Sequence, residues 1–158
     1  MPEETQTELR KEREALAADP LRPLYHFSPP SLLLHDPAGL CWWQGKYHLF
    51  YQFRPEGEPR VHWGHTVSDD LIHWNDLPPA IYPSIEDCSF SGTTCVEGDR
   101  VIAFYYGTMQ GSMVATANDP LLLHWAKHPD NPVIPAVDMD NTGYRGGGGD
   151  PCIWKAEQ

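Results

Sequence analysis

The 158-residue chain is poor in positive charge, in paired cysteines and in long apolar runs. Eleven Lys and Arg stand against twenty-two Asp and Glu, a formal charge of -11. Such a balance repels phosphate backbones and anionic lipid surfaces, which argues against nucleic acid or a membrane as partner. A neutral ligand such as a sugar stays open. The four cysteines, Cys41, Cys88, Cys95 and Cys152, form no CxxC pair. No apolar run reaches the roughly 18 residues of a membrane span. The N-terminal "MPEETQTELRKERE" has no apolar core of a secretory leader. A cytoplasmic protein with reduced, mostly structural thiols is the resulting expectation. Several reaction classes lose their motifs as well. The glycines at 146–149 lack the Gly-Lys-Ser/Thr of a phosphate loop, and no Gly-x-Ser-x-Gly elbow occurs. His62 and His65 lie three apart, on opposite faces of a strand. His73, His124 and His128 have no convergent Cys or carboxylate pattern, and "DMDNTG" at 138–143 lacks the Glu that closes a calcium loop.

Proline and glycine are abundant instead, with sixteen and thirteen residues spread along the chain. Together with 41% hydrophobic residues, this fits one domain of many short strands joined by turns. "KYHLFYQF" (46–53) alternates, with Tyr47, Leu49, Tyr51 and Phe53 on one face and Lys46, His48, Phe50 and Gln52 on the other. That is a strand with both faces partly buried. Further strand candidates are 60–67, 88–96, 99–106, 112–117 and "PCIWKA" at 151–156. Residues 4–18 are rich in helix formers and poor in apolar side chains, and predict a short surface helix ended by Asp19-Pro20. A repeat is also present. "HTVSDDLIHWNDLPPAIYP" (65–83) is matched by "VATANDPLLLHWAKHPDNPVIP" (114–135), with Trp74 and Trp125 51 residues apart. A period near 50 residues with about four strands per unit is the mark of a β-propeller. The repeated Trp is then most simply a blade-packing residue.

One carboxylate stands out. "SLLLHDPAGLCWW" (31–43) places Asp36 between leucines and a pair of tryptophans. Asp-Pro with a following glycine is ordinary turn chemistry, so Asp36 reads either as a turn former or as a reactive carboxylate facing a cleft.

Five stretches in order resemble glycoside hydrolase family 32, the invertases, inulinases and levanases. "RPLYHFSPPSLLLHDPAG" (22–39) is similar to the family's Arg-Pro-x-Tyr-His-Phe followed by Trp-x-Asn-Asp-Pro-Asn-Gly. "GKYHLFYQF" (45–53) resembles its next strand, "HWGHTVSDDLIHW" (62–74) its Trp-Gly-His and Ser-x-Asp-Leu-x-His-Trp, "SFSGT" (89–93) its Phe-Ser-Gly-Ser, and "GDPCIW" (149–154) its Arg-Asp-Pro. The resemblance implies an all-β, five-bladed propeller, of which this chain carries the first two to three blades: a helical segment at 1–20, then a partial propeller domain at 21–158. It implies hydrolysis of the O-glycosyl bonds of sucrose or fructans by a retaining, two-carboxylate mechanism, with no metal or organic cofactor. By resemblance Asp36, in the turn after the first strand, is the nucleophile. Asp150 stabilises the oxocarbenium-like transition state, and Gln52, Trp63, Phe90 and Ser91 line the fructose site.

The chain departs from the family pattern at His35 and Ala38, both Asn in the family, and at Gly149, where the family has Arg. The family's acid/base is a Glu in a later Glu-Cys motif. Glu157 is not in such a motif and is not assigned that role. The 158 residues alone are therefore expected not to complete the retaining cycle. The alternatives are a non-catalytic carbohydrate-binding or vestigial propeller piece, and a related five-bladed glycosidase acting on arabinose- or xylose-type sugars.

Overall fold

A computed structural model describes residues 2–23, 25–30, 34–55, 57–136 and 149–156. Helix α1 (Pro2–Leu16) precedes two antiparallel sheets. The first runs β1 (Leu34–Trp43), β2 (Lys46–Phe53), β3 (His62–Ser68), β4 (Trp74–Ile81) in spatial order. The second runs β5 (Ser89–Glu97), β6 (Arg100–Gly107), β7 (Gly111–Ala117), β8 (Ala126–Lys127), with β9 (Ile134–Pro135) also pairing β7. Each sheet is an up-and-down meander of propeller-blade form. Residues 149–156 contain no strand, so the strand expected at 151–156 is corrected to irregular chain. The backbone amide of Ile153 instead donates to Thr93 Oγ1 at 2.9 Å. A single bond to one side chain does not make a ladder. Residues 138–143, 146–148 and Glu157 lie outside the described residues.

The β1–β2 hairpin shows local sequence at work. Trp43 pairs Lys46 across a two-residue loop, and both loop residues have positive φ, 44° at Gln44 and 87° at Gly45. That conformation matches the twist of the flanking strands, and glycine adopts it without steric cost. The repeat is visible in the fold. Trp74 opens β4 and Trp125 immediately precedes β8, each at the outer edge of its sheet. The turn before each is tied by a carboxylate: Asp70 accepts from the Ile72 and His73 amides, and Asp119 from those of Leu123 and His124. The Pro-containing segment that begins at Trp74 is strand β4. Its place at the sheet edge tolerates Pro78 and Pro79, which lack an amide to donate.

The core lies between the sheets. Ala38, Cys41, Trp43, Phe50, Trp63 and Ile81 pack against Val101, Ala103, Tyr105, Met113, Ala115 and Leu122. Burial pushes the Cys41 thiol up to about 11, despite its bond to Thr94, which leaves it protonated and unreactive. Helix α1 is more than a surface helix. Leu9 is buried with Tyr51 and Phe53, beside Phe27. Arg13 grips Asp76 of β4 with both Nε and Nη2, the latter at 2.7 Å.

Two polar clusters are buried with the core. Glu86 accepts from Ser89 Oγ and Tyr105 Oη, at 3.1 and 3.0 Å, and pairs with Lys127. Burial alone would raise the Glu86 pKa, but the Lys127 bond and charge hold it at about 2. His48 Nδ1 and His65 Nε2 lie 3.0 Å apart, so one ring must donate and the other accept. Their remaining nitrogens, His48 Nε2 and His65 Nδ1, have no partner. Burial pulls the His48 pKa down to about 4 and that of His65 well below 6.5.

Two stability predictions follow from these clusters. Lys127→Met strands the Glu86 carboxylate without its cation and should cost about 3 kcal/mol, read as a lowered melting temperature. Because both histidines are neutral when folded but bind protons near pH 6.5 when unfolded, their contribution is complete above about 6.5 and is lost as pH falls toward 4. Melting temperature should therefore fall across that window, and less steeply in a His48→Phe/His65→Phe double variant. Identical slopes would contradict the assignment.

Candidate active site

Both first strands are irregular at the same level of the structure. Along β1, Leu34, Pro37 and Leu40 pair with Phe53, Tyr51 and Leu49 of β2. Each step spends three residues of β1 on two of β2, which makes two successive bulges. Along β5, Ser89 and Gly92 pair with Gly107 and Tyr105, another bulge of the same kind. A bulge re-aims side chains and deepens the twist. Asp36 sits in the first of these and Ser91 in the last. The expected turn at Asp36 is thus corrected: residues 36–39 belong to a bulged strand, where Pro37, which has no amide, costs the ladder nothing at an irregular point.

The two bulged strands meet closely. A Cβ on Gly39, whose φ is 70°, would lie 2.7 Å from Thr94 Cγ2 of β5. Only glycine satisfies both that gap and that backbone. The approach brings Asp36, Gln52 and Ser91 into contact. Gln52 Nε2 donates to Asp36 Oδ2 at 3.1 Å and to Ser91 Oγ at 2.6 Å, and Ser91 Oγ donates to the same Oδ2 at 2.8 Å. Gln52 and Ser91 are nearly buried, at 5% and 7% exposure, whereas Asp36 is exposed to the cavity above.

That cavity, about 400 Å³, is lined by His35, Asp36, Gln52, Phe90 and Ser91 on one side and Gly149 and Asp150 on the other, with Val61 and Tyr106 completing it. Asp150 is exposed and follows Gly149, whose φ is 103°. The bond from Ile153 to Thr93 holds this segment beside β5. Five of the six residues expected from the sequence, Asp36, Asp150, Gln52, Phe90 and Ser91, share the cavity. Trp63 is placed elsewhere. It is wholly buried, packs against Phe50 and Tyr105, and donates its Nε1 to the Phe90 carbonyl at 2.8 Å. It therefore braces the strand that carries Phe90 and Ser91 and does not face the cavity. Ala38 is fully buried in the core, so its departure from the family's Asn lies outside the cavity wall. His35 and Gly149 do line it. Tyr106 was not evident beforehand. Its position at the end of the β6 alternation was the available signal, and its ring meets Phe90 edge-on at 6.4 Å. Among the described residues no Lys or Arg lines the cavity. Among the described residues no group of three or more His, Cys, Asp or Glu is placed to hold a metal ion, and no helix is long and apolar enough to cross a membrane.

The Glycosyl hydrolases family 32 N-terminal domain matches residues 26–158. The chain belongs to glycoside hydrolase family 32. It is 38% identical over 130 residues to the levanase of Bacillus subtilis (strain 168), covering 72% of this chain and 19% of that protein. It is 35% identical over 138 residues to an insoluble beta-fructofuranosidase isoenzyme of Daucus carota, covering 77% and 23%. A crystal structure of fructan 1-exohydrolase IIa from Cichorium intybus superposes with a TM-score of 0.67 at 39% identity, over 73% of this chain and 24% of that one. The Bombyx mori family 32 beta-fructofuranosidase superposes at 0.73 with 34% identity, over 99% and 35%. The chain thus spans about a fifth to a quarter of the length of the curated relatives it matches, and its two sheets are two blades of their propeller.

Trp63→Phe tests the brace. It keeps the ring in the core but removes the bond to the Phe90 carbonyl, and should cost about 1 kcal/mol of stability, measured by thermal unfolding. An unchanged melting temperature would show that the bond holds nothing.

Proposed function

We propose that this chain forms the nucleophile-bearing part of a β-fructofuranosidase-type hydrolase. In this reading it releases fructose from sucrose or a fructan by the retaining two-carboxylate route. One observation carries the reading: a carboxylate on a bulged inner strand, held by two donors, faces a cavity that a second carboxylate also lines. Retaining glycosidases need a nucleophile and an acid/base about 5–5.5 Å apart. Asp36 is the nucleophile here. Asp150 interacts with the sugar hydroxyls and the positive charge that develops at the transition state. Phe90 and Tyr106 form the apolar wall on which a sugar face rests. The acid/base would come from a carboxyl group beyond these residues. Solved relatives of this fold are in complex with 1-kestose and with sucrose, which supports a fructoside as the substrate. The lack of Lys and Arg among the described residues of the cavity wall suits an uncharged one. The cytoplasmic location expected from the sequence is part of the same proposal. A second reading, carbohydrate binding without turnover, rests on Gly149, which cannot supply the paired hydrogen bonds of the family's Arg.

The test is fructose release from sucrose and inulin by the full-length gene product. Asp36→Ala should lower turnover roughly 10³-fold or more. A variant that keeps most of its activity would remove Asp36 from the mechanism. Binding of a fructoside without any release by the unaltered protein would establish the second reading.

A further inference from the structure

The hold on Asp36 is one-sided. Both donors end on Oδ2, and among the described residues nothing donates to Oδ1. The protons can be followed around the ring. Gln52 has two amide hydrogens, one for Asp36 Oδ2 and one for Ser91 Oγ. Ser91 therefore accepts from Gln52 and has its single proton for Asp36. The opposite orientation of the amide would set a carbonyl oxygen against a carboxylate, so the network fixes it. Neither residue retains an N–H or O–H for a sugar hydroxyl, and both are nearly buried.

We infer that Gln52 and Ser91 are positioning residues that occupy Asp36 Oδ2 and leave Oδ1 as the attacking oxygen. This assignment rests on the reading of Asp36 as the nucleophile, and it replaces the direct sugar contacts expected for these two residues. The two donors lie 2.6 Å apart and converge on Oδ2, so the whole of the hold on the carboxylate falls on that oxygen. Among the described residues Oδ1 accepts no hydrogen bond, and the Asp36 side chain lines the cavity. In the first step Oδ1 bonds to the anomeric carbon as the glycosidic C–O bond breaks, and the departing oxygen takes its proton from the enzyme's general-acid carboxyl group. In the second step water attacks the anomeric carbon, its proton goes to the same group, now a carboxylate, and the C–Oδ1 bond breaks. Negative charge then returns to the Asp36 carboxylate, where the two donors on Oδ2 receive it without rearrangement.

Two measurements decide the matter separately. In the full-length enzyme, Ser91→Ala and Gln52→Met should each lower kcat roughly 10- to 100-fold, with KM held within about twofold, because orientation is lost and binding is not. A raised KM with unchanged kcat would make them sugar-binding residues and overturn the inference. The second readout does not depend on activity. Side-chain coupling constants of selectively labelled Asp36 in the 158-residue chain should report one χ1 rotamer, and an average over rotamers in Ser91→Ala. A rotamer that stays fixed in the variant would overturn the clamp. Absence of fructose release by the unaltered full-length enzyme would refute the proposed activity, while the rotamer measurement would still judge the clamp.

Discussion

Everything distinctive in this molecule depends on how closely β1 and β5 approach. Two twisted sheets packed face to face normally keep their strands apart by the width of their side chains. Here Gly39 removes the side chain at the point of contact, and Thr94 fills the gap. Both strands bulge at that level, where they carry Asp36 and Ser91. The close approach brings a carboxylate from one sheet and a hydroxyl from the other within 2.8 Å. Neither sheet alone holds the site.

The packing beneath serves the same geometry. Trp63 reaches from β3 to the Phe90 carbonyl, so the core of the first sheet fixes the backbone of the second beside the cavity. Glu86, Tyr105 and Lys127 tie the second sheet internally, and the paired histidines His48 and His65 lie under the first. Such buried polar groups are costly unless matched. Their placement makes the relation of the sheets specific as well as stable, and it leaves the structure sensitive to acid. Helix α1 secures the far face of the first sheet through Leu9 and Arg13.

Much of this was legible in the sequence. The strand at 46–53 follows from its alternation, and β2 has those bounds. The repeated Trp74 and Trp125 mark equivalent places in two blades. The family resemblance, carried by five ordered motifs, agrees with the family match over residues 26–158. Other features were hidden for physical reasons. Bulges shift the parity of a strand without altering its composition, so Asp36-Pro37 looked like a turn. Trp63 sits in a motif next to site residues, but only its burial against Phe50 and Tyr105 shows that it fills the core. The pair Arg13–Asp76 spans 63 residues, and no local pattern connects them. The stretch at 151–156 read as a strand candidate, but a strand needs a neighbouring strand to pair with, and no strand forms there.

The most direct test of the account is to trap the covalent intermediate. The full-length enzyme would be quenched in acid while turning over a fructoside, then digested and mapped by mass spectrometry. The account predicts a single fructosyl adduct, on the peptide that contains Asp36. Turnover with the adduct on a different carboxylate, Asp150 included, would contradict it.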